Sequence, residues 1–156
     1  MPHLSSLDDF KRIIVNKFLR DRQFVDLVTN SADHELPASD LLSRQVFLYD
    51  YIDGTVKADR VFVCVEADDN WPETPAVSLF DIYITIAVPK SLMDMSGKIR
   101  RDAIAQRIDE MLNGSTEFGF GRLKRKPGGR VNFSEAFRAR VLHYSVENWN
   151  RHGSTL

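Results

Sequence analysis

Residues Ser78 to Val88 constrain the fold more than any other stretch, because apolar and polar side chains alternate through them without a break. Phe80, Ile82, Ile84, Ile86 and Val88 fall on one face, and Asp81, Tyr83 and Thr85 fall on the other. Period two is the signature of a strand with one buried side. Pro89 has no N–H to give to a ladder and marks the end of the strand. A strand of this kind needs strand neighbours at its edges and a cover for its apolar face.

Other segments supply both. Arg60 to Glu66 is a continuous β-branched run and predicts a buried strand, closed by an acidic loop, Asp68-Asp69-Asn70-Trp71-Pro72. Gln45 to Ile52 has strand composition and runs into an Asp53-Gly54 turn. Leu7 to Thr29 reads as helix. Its apolar residues recur at three- and four-residue steps, Ser5 or Ser6 is available as N-cap, and Asp21-Arg22 is a possible break before a short second helix. Residues 30–45 lack periodicity and read as a surface connection.

A second amphipathic helix is predicted from Gly97 to Leu112, with Asn113-Gly114 as its stop. Phe118 to Leu123 reads as a strand whose glycines permit a bulge, Lys124 to Gly129 as a basic turn or loop, and Ala139 to Glu147 as the last strand. Strands that follow one another without helices between them favour hairpins. The expected architecture is therefore α+β: a mainly antiparallel sheet of four to five strands with two amphipathic helices packed on one face. One domain is expected over residues 1–156, with flexible ends at about 1–5 and 150–156.

Composition removes several classes of function. No apolar run approaches the roughly 20 residues of a spanning helix, and the N-terminus lacks the basic-then-apolar order of a signal peptide. Cys64 is the one cysteine, so an internal disulfide is excluded and synthesis in the cytoplasm is the simple expectation. The net charge of −1 conceals an asymmetry: residues 1–96 carry −7 and residues 97–156 carry +6. These opposite charges can meet within one monomer or between neighbouring copies.

The residues give little support to catalysis. His3, His34, His143 and His152 are scattered without metal-ligand spacing, and His143 reads as an ordinary strand histidine. Glu66, Asp68 and Asp69 lack the acidic-x-Lys element of a nuclease, and a solvated acidic loop is the simpler reading. Cys64 lies mid-strand and reads as core filler. Gly119-Phe120-Gly121 lacks the Gly-Lys-Ser/Thr of a phosphate loop. No metal or cofactor is expected. The basic stretch Arg122, Lys124, Arg125, Lys126 and Arg130, beside Phe118 and Phe120, has three readings: a solvated loop, a protein contact, or a nucleic-acid surface of cations and stacking rings. The sequence pI of about 6.4 argues against a dedicated nucleic-acid binder.

Four segments together resemble small neck proteins of tailed bacteriophages. They are the strand Leu79 to Ile86, the step Lys90-Ser91-Leu92-Met93, the helix Ile99 to Ser115 and the segment Phe118 to Leu123. The likeness extends through Gly129-Arg130 and Ala139 to Tyr144, covers roughly residues 7–150, and is similar to the tail terminator, or tail-to-head joining (tail completion), family. That resemblance implies a homo-oligomer, a hexameric ring in the virion neck, that caps the tail tube protein and meets the head connector or stopper protein, with DNA passing through its lumen. A head-completion ring belongs to the same class. The resemblance brings no catalytic residues. It makes Asp68, Asp69 and Trp71, with Arg122, Lys124, Arg125, Lys126 and Arg130, candidate interface or lumen contacts. A nucleic-acid-binding accessory protein using residues 122–130 and a metal-dependent nuclease around Glu66 to Asp69 are the readings from other classes.

Overall fold

The computed structural model describes residues 3–29, 38–42, 44–49, 60–70, 77–118, 122–131 and 137–149. Two helices lead the chain, α1 (His3–Arg20) and α2 (Arg22–Val28). A 3-10 turn (Ala38–Leu41) and a short strand β1 (Val46–Phe47) follow. The long strands β2 (Phe62–Asn70) and β3 (Val77–Pro89) lead into a one-turn helix α3 (Lys90–Met93) and a small hairpin, β4 (Asp94–Met95) and β5 (Lys98–Ile99). Helix α4 (Arg100–Leu112) and strands β6 (Lys124–Val131) and β7 (Phe137–Trp149) complete the order.

The main sheet runs β1-β2-β3-β7-β6 and is antiparallel except at β1. The alternating strand takes the central place that its sequence requires. Phe80, Ile82, Ile84, Ile86 and Val88 are all fully buried against Phe10, Ile14 and Phe18 of α1 and Ile104, Ile108 and Leu112 of α4. Both amphipathic helices thus lie on one face of an α+β sheet, as expected. Burying such aliphatic and aromatic side chains stabilises by about 1.5–3 kcal/mol each relative to leaving them in water.

The break between the first helices falls where Asp21 stands. Asp21 is extended (φ −90°, ψ 112°), and its Oδ1 accepts from the Phe24 N–H at 2.8 Å, capping α2. The turn lets Phe24 stack on Phe18, ring centroids 4.7 Å apart. The same carboxylate takes both arms of Arg107 on α4, with Nε to Oδ1 at 3.0 Å and Nη2 to Oδ2. This two-pronged bond holds the Asp21 carboxyl below the usual carboxylate range. A carboxyl with a depressed folded-state pKa contributes stability that is present above its unfolded value and lost as the pH falls through the folded one. Asp21→Asn keeps the cap and removes the ion pair, whereas Asp21→Ala removes both, the cap alone contributing about 1 kcal/mol. Thermal melts should therefore rank wild type above Asp21→Asn above Asp21→Ala at pH 7, with the first gap closing below about pH 3.8. Equal melting points for wild type and Asp21→Asn at pH 7 would contradict this.

Several expectations need correction. Helix α1 begins at His3, so Ser5 and Ser6 lie inside it and do not cap it. Residues 1, 2 and 150–156, expected as flexible ends, otherwise fall outside the described residues. The strand expected over Gln45 to Ile52 is described as Val46–Phe47, and it runs parallel to β2 with Val46 opposite Val63. Parallel neighbours cannot be joined by a tight turn, so the first of the expected hairpins does not form. Lys98 and Ile99 pair with Met95 and Asp94 as strand, delaying the helix to Arg100. Phe118 to Leu123 is no strand where it is described. The backbone of Gly114 and Ser115 bonds Leu123 in both directions, at 2.8 Å each, and residues 119–121 lie outside the described residues.

Candidate assembly surfaces at the sheet edges

The two larger errors of the sequence reading coincide with the candidate contacts. Asp68 and Asp69 were expected in a loop, but β2 continues through Asn70, with Asp68 opposite Asp81 and Asp69 opposite Phe80 on β3. Lys124 to Gly129 was expected as a turn, but it forms β6, an edge strand paired with β7. Proline and glycine are tolerated there because an edge has a free side and admits bulges. The register of β6 shifts between Lys126 and Gly129, and the backbone of Val141 comes so close that a Cβ on Gly128 would lie 2.2 Å from its carbonyl oxygen.

The basic residues share one edge. Lys124, Arg125 and Lys126 are exposed on β6, Arg122 is exposed just before it, and Arg130 lies opposite Arg140 in the ladder. The acidic residues share the other side. Among the described residues β1 covers β2 only at Val63 and Cys64, so the backbone edge from Glu66 onward has no strand beside it. Trp71 lies outside the described residues. The structure therefore does not bring the acidic and basic candidates together within one chain. It places them at opposite edges of one sheet, separated by β3 and β7.

Along the sheet the two groups stand at matching heights. Asp68 faces Asp81, Asp81 faces Ser145, and Ser145 faces Lys124. In the second neighbouring row Glu66 faces Tyr83, Tyr83 faces His143, and His143 faces Lys126. Two carboxylates side by side would repel. His143 relieves this by donating from Nε2 to Asp81 Oδ1 at 2.8 Å while its ring stacks on Tyr83, centroids 4.5 Å apart. Burial, then the charges of Asp81 and Asp68, push the Tyr83 hydroxyl above its ordinary pKa. His143 is thus a strand histidine with a structural partner. The sequence holds the alternation of β3 but not its register with β7, so this cluster was not legible there.

The fate of the charge asymmetry follows from the ion pairs. Most of those among the described residues join groups of the same half of the chain, such as Arg12 with Asp8, Arg125 with Asp109 and Arg140 with Asp102. Acidic groups of the first half meet basic groups of the second at Asp21–Arg107 and at Asp81–His143. Asp68, Lys124 and Lys126 have no ion-pair partner among the described residues.

Other concavities offer little. An open groove of about 320 Å³ between α4 and the β6–β7 edge is lined by Asp102, Asp109, Arg125 and Arg140, whose charges pair with one another. No group of three or more His, Cys, Asp or Glu side chains among the described residues is placed to hold a metal ion. The nucleic-acid reading loses a stacking ring, because Phe118 is fully buried and packs edge-on against Phe10 at 5.7 Å. Cys64 is buried, in a second small cluster with Phe47, Phe62, Ala87, Phe137 and Ala139 on the opposite face of the sheet.

These features define a small α+β protein built on a mostly antiparallel sheet, with acidic residues on the β2 side and basic residues on the β6 edge. Residues 21–146 match the YomW family, and the chain belongs to it. No curated protein matches the sequence. Among solved structures it is similar to a chain of the "Virion of native gene transfer agent (GTA) particle". The TM-score is 0.53 at 14% identity, over 87% of this chain and 91% of that one, which is a likeness of fold.

Proposed function

We propose that this chain is a non-enzymatic structural protein of a phage or phage-like virion. Within that class it is a neck protein, a tail terminator whose copies form a ring, most simply a hexamer, that caps the tail tube and joins it to the head connector. The observation that carries this reading is the sheet with an acidic edge and a basic edge. An interface in which one patch meets a different patch on the next copy generates rings when its rotation closes. The likeness of fold to a chain of a gene transfer agent virion, spanning nearly the whole of both chains, supports the same reading.

Assembly in the bacterial cytoplasm and residence in the virion neck follow from the role. DNA would cross the ring through its lumen as a passing cargo. A terminator stops growth, so tail tubes polymerised with this protein present should have a bounded length, and tubes polymerised without it should keep elongating. The length distribution by electron microscopy reads this out. Equal distributions with and without the protein would count against the terminator role.

A further inference from the structure

We propose that the copies join by continuing the sheet: β6 of one copy pairs antiparallel with the Glu66 to Asp68 edge of β2 in the next, with Lys124 opposite Asp68 and Lys126 opposite Glu66. The pairing deepens the ring reading above and rests on it for the closed form, but the contact itself stands on strand geometry and charge.

The direction follows from the ladder. β2, β3, β7 and β6 alternate in direction, each pair being antiparallel, so β6 runs opposite to β2. A next copy added in the same orientation therefore presents its β2 antiparallel to β6. The register follows from the rows. Asp68 and Lys124 end one row, and Glu66 and Lys126 end a second with one row between them, all on the same face of the sheet. An antiparallel ladder that sets Lys124 against the next copy's Asp68 must set Lys126 against its Glu66, and it stops at Lys124, because the Leu123 N–H and C=O are taken by Ser115 and Gly114. A single register satisfies both charge pairs at once and needs no shift of one sheet against the other. It uses β6 before its bulge, where the strand is regular, and β2 beyond Cys64, where β1 has ended.

Selectivity follows from the same charges. Lysines on an exposed edge prevent two like edges from pairing, a device that keeps sheets from aggregating. Two β6 edges repel, and so do two acidic β2 edges, while the mixed pair attracts. The association is thereby forced to run head to tail. Glu66 Oε1 already accepts from Lys11 Nζ of α1 at 3.3 Å and from the Ala67 N–H at 3.1 Å, but its side chain is 30% exposed and a carboxylate has further acceptor sites for Lys126.

The test exchanges charges between edges, using Lys124→Asp and Asp68→Lys. Each variant alone has two edges of like sign in that row and should assemble about tenfold more weakly per interface at low salt, read by light scattering. An equimolar mixture should recover wild-type assembly with alternating copies, because each altered edge then meets its complement. The chain carrying both substitutions should assemble alone. Circular dichroism melts check folding, and Lys124→Gln with Asp68→Asn replaces a reversal that does not fold, with a smaller loss expected. Variants that assemble like wild type, a mixture no better than its components, or a wild-type chain monomeric at every concentration and salt would each overturn the pairing. If wild type assembles and the reversals have no effect, the interface is elsewhere and the ring reading stands. If the charge exchange behaves as expected but tubes are not capped, the pairing stands and the neck role falls.

Discussion

Replacing Tyr144 by alanine is expected to lower stability by about 3–5 kcal/mol, the range for deleting a large buried aromatic side chain. Tyr144 lies on β7 with no exposed surface, within the core shared by α1, α4 and the sheet. Its hydroxyl donates to Asp109 Oδ1 of α4 at 2.7 Å, so the ring fills the space under α4 and the hydroxyl fixes its position on the sheet. Burial, followed by the bond and charge of Asp109, raises the hydroxyl's pKa and keeps it protonated as a donor. Tyr144→Phe separates the two contributions. It retains the packing and loses a single hydrogen bond, and because Asp109 is 28% exposed water can replace the donor, giving a cost of about 1 kcal/mol. For a chain of this length the alanine variant should melt on the order of 10 °C below wild type, and the phenylalanine variant a few degrees below. Near-equal melting points for the two variants would show that the ring does not pack as described.

The second large effect is at Gly128. An alanine Cβ there would stand 2.2 Å from the carbonyl oxygen of Val141, a backbone atom that no rotamer change can move aside. Gly129, its neighbour, has open space around the same position. Gly128→Ala should therefore cost about 2–3 kcal/mol through overpacking, and Gly129→Ala should be close to silent. Because β6 is an edge strand, relief is expected to come by β6 peeling away from β7 and not by loss of the whole core. Hydrogen exchange should show faster exchange of the β6 amides in Gly128→Ala with β2 and β3 still protected. Self-assembly should weaken with it, since the basic edge is no longer presented in register. Unchanged protection of β6 would contradict the close approach.

The sequence was informative where one physical signal dominated. The alternation in β3 and the apolar stripes of α1 and α4 determine which side chains must be buried together, and the sheet with two helices on one face follows from that. It misled where local propensity and tertiary context disagree. Asp68, Asp69 and Asn70 have poor strand propensity, and Pro127, Gly128 and Gly129 are turn residues, so both segments read as loops. At the edges the neighbouring strand supplies the ladder, and the free side tolerates charge, proline and a bulge. The residues proposed for assembly are therefore the ones that obscured the strands carrying them. Their matched heights depend on the registers of β2 with β3, β3 with β7 and β7 with β6, which no single segment encodes. The charge division between the two parts of the chain was legible early, and the structure places a part of it, Glu66 and Asp68 against Lys124 and Lys126, on opposite sides of one sheet.

The central claim, a ring that ends a tail tube, is tested most directly by negative-stain imaging of the purified protein with and without tail tubes. The expected result is a ring of uniform diameter seated at one end of each tube, absent from tubes incubated alone. Protein that neither forms rings nor decorates tube ends, or that coats tubes along their length, would contradict it.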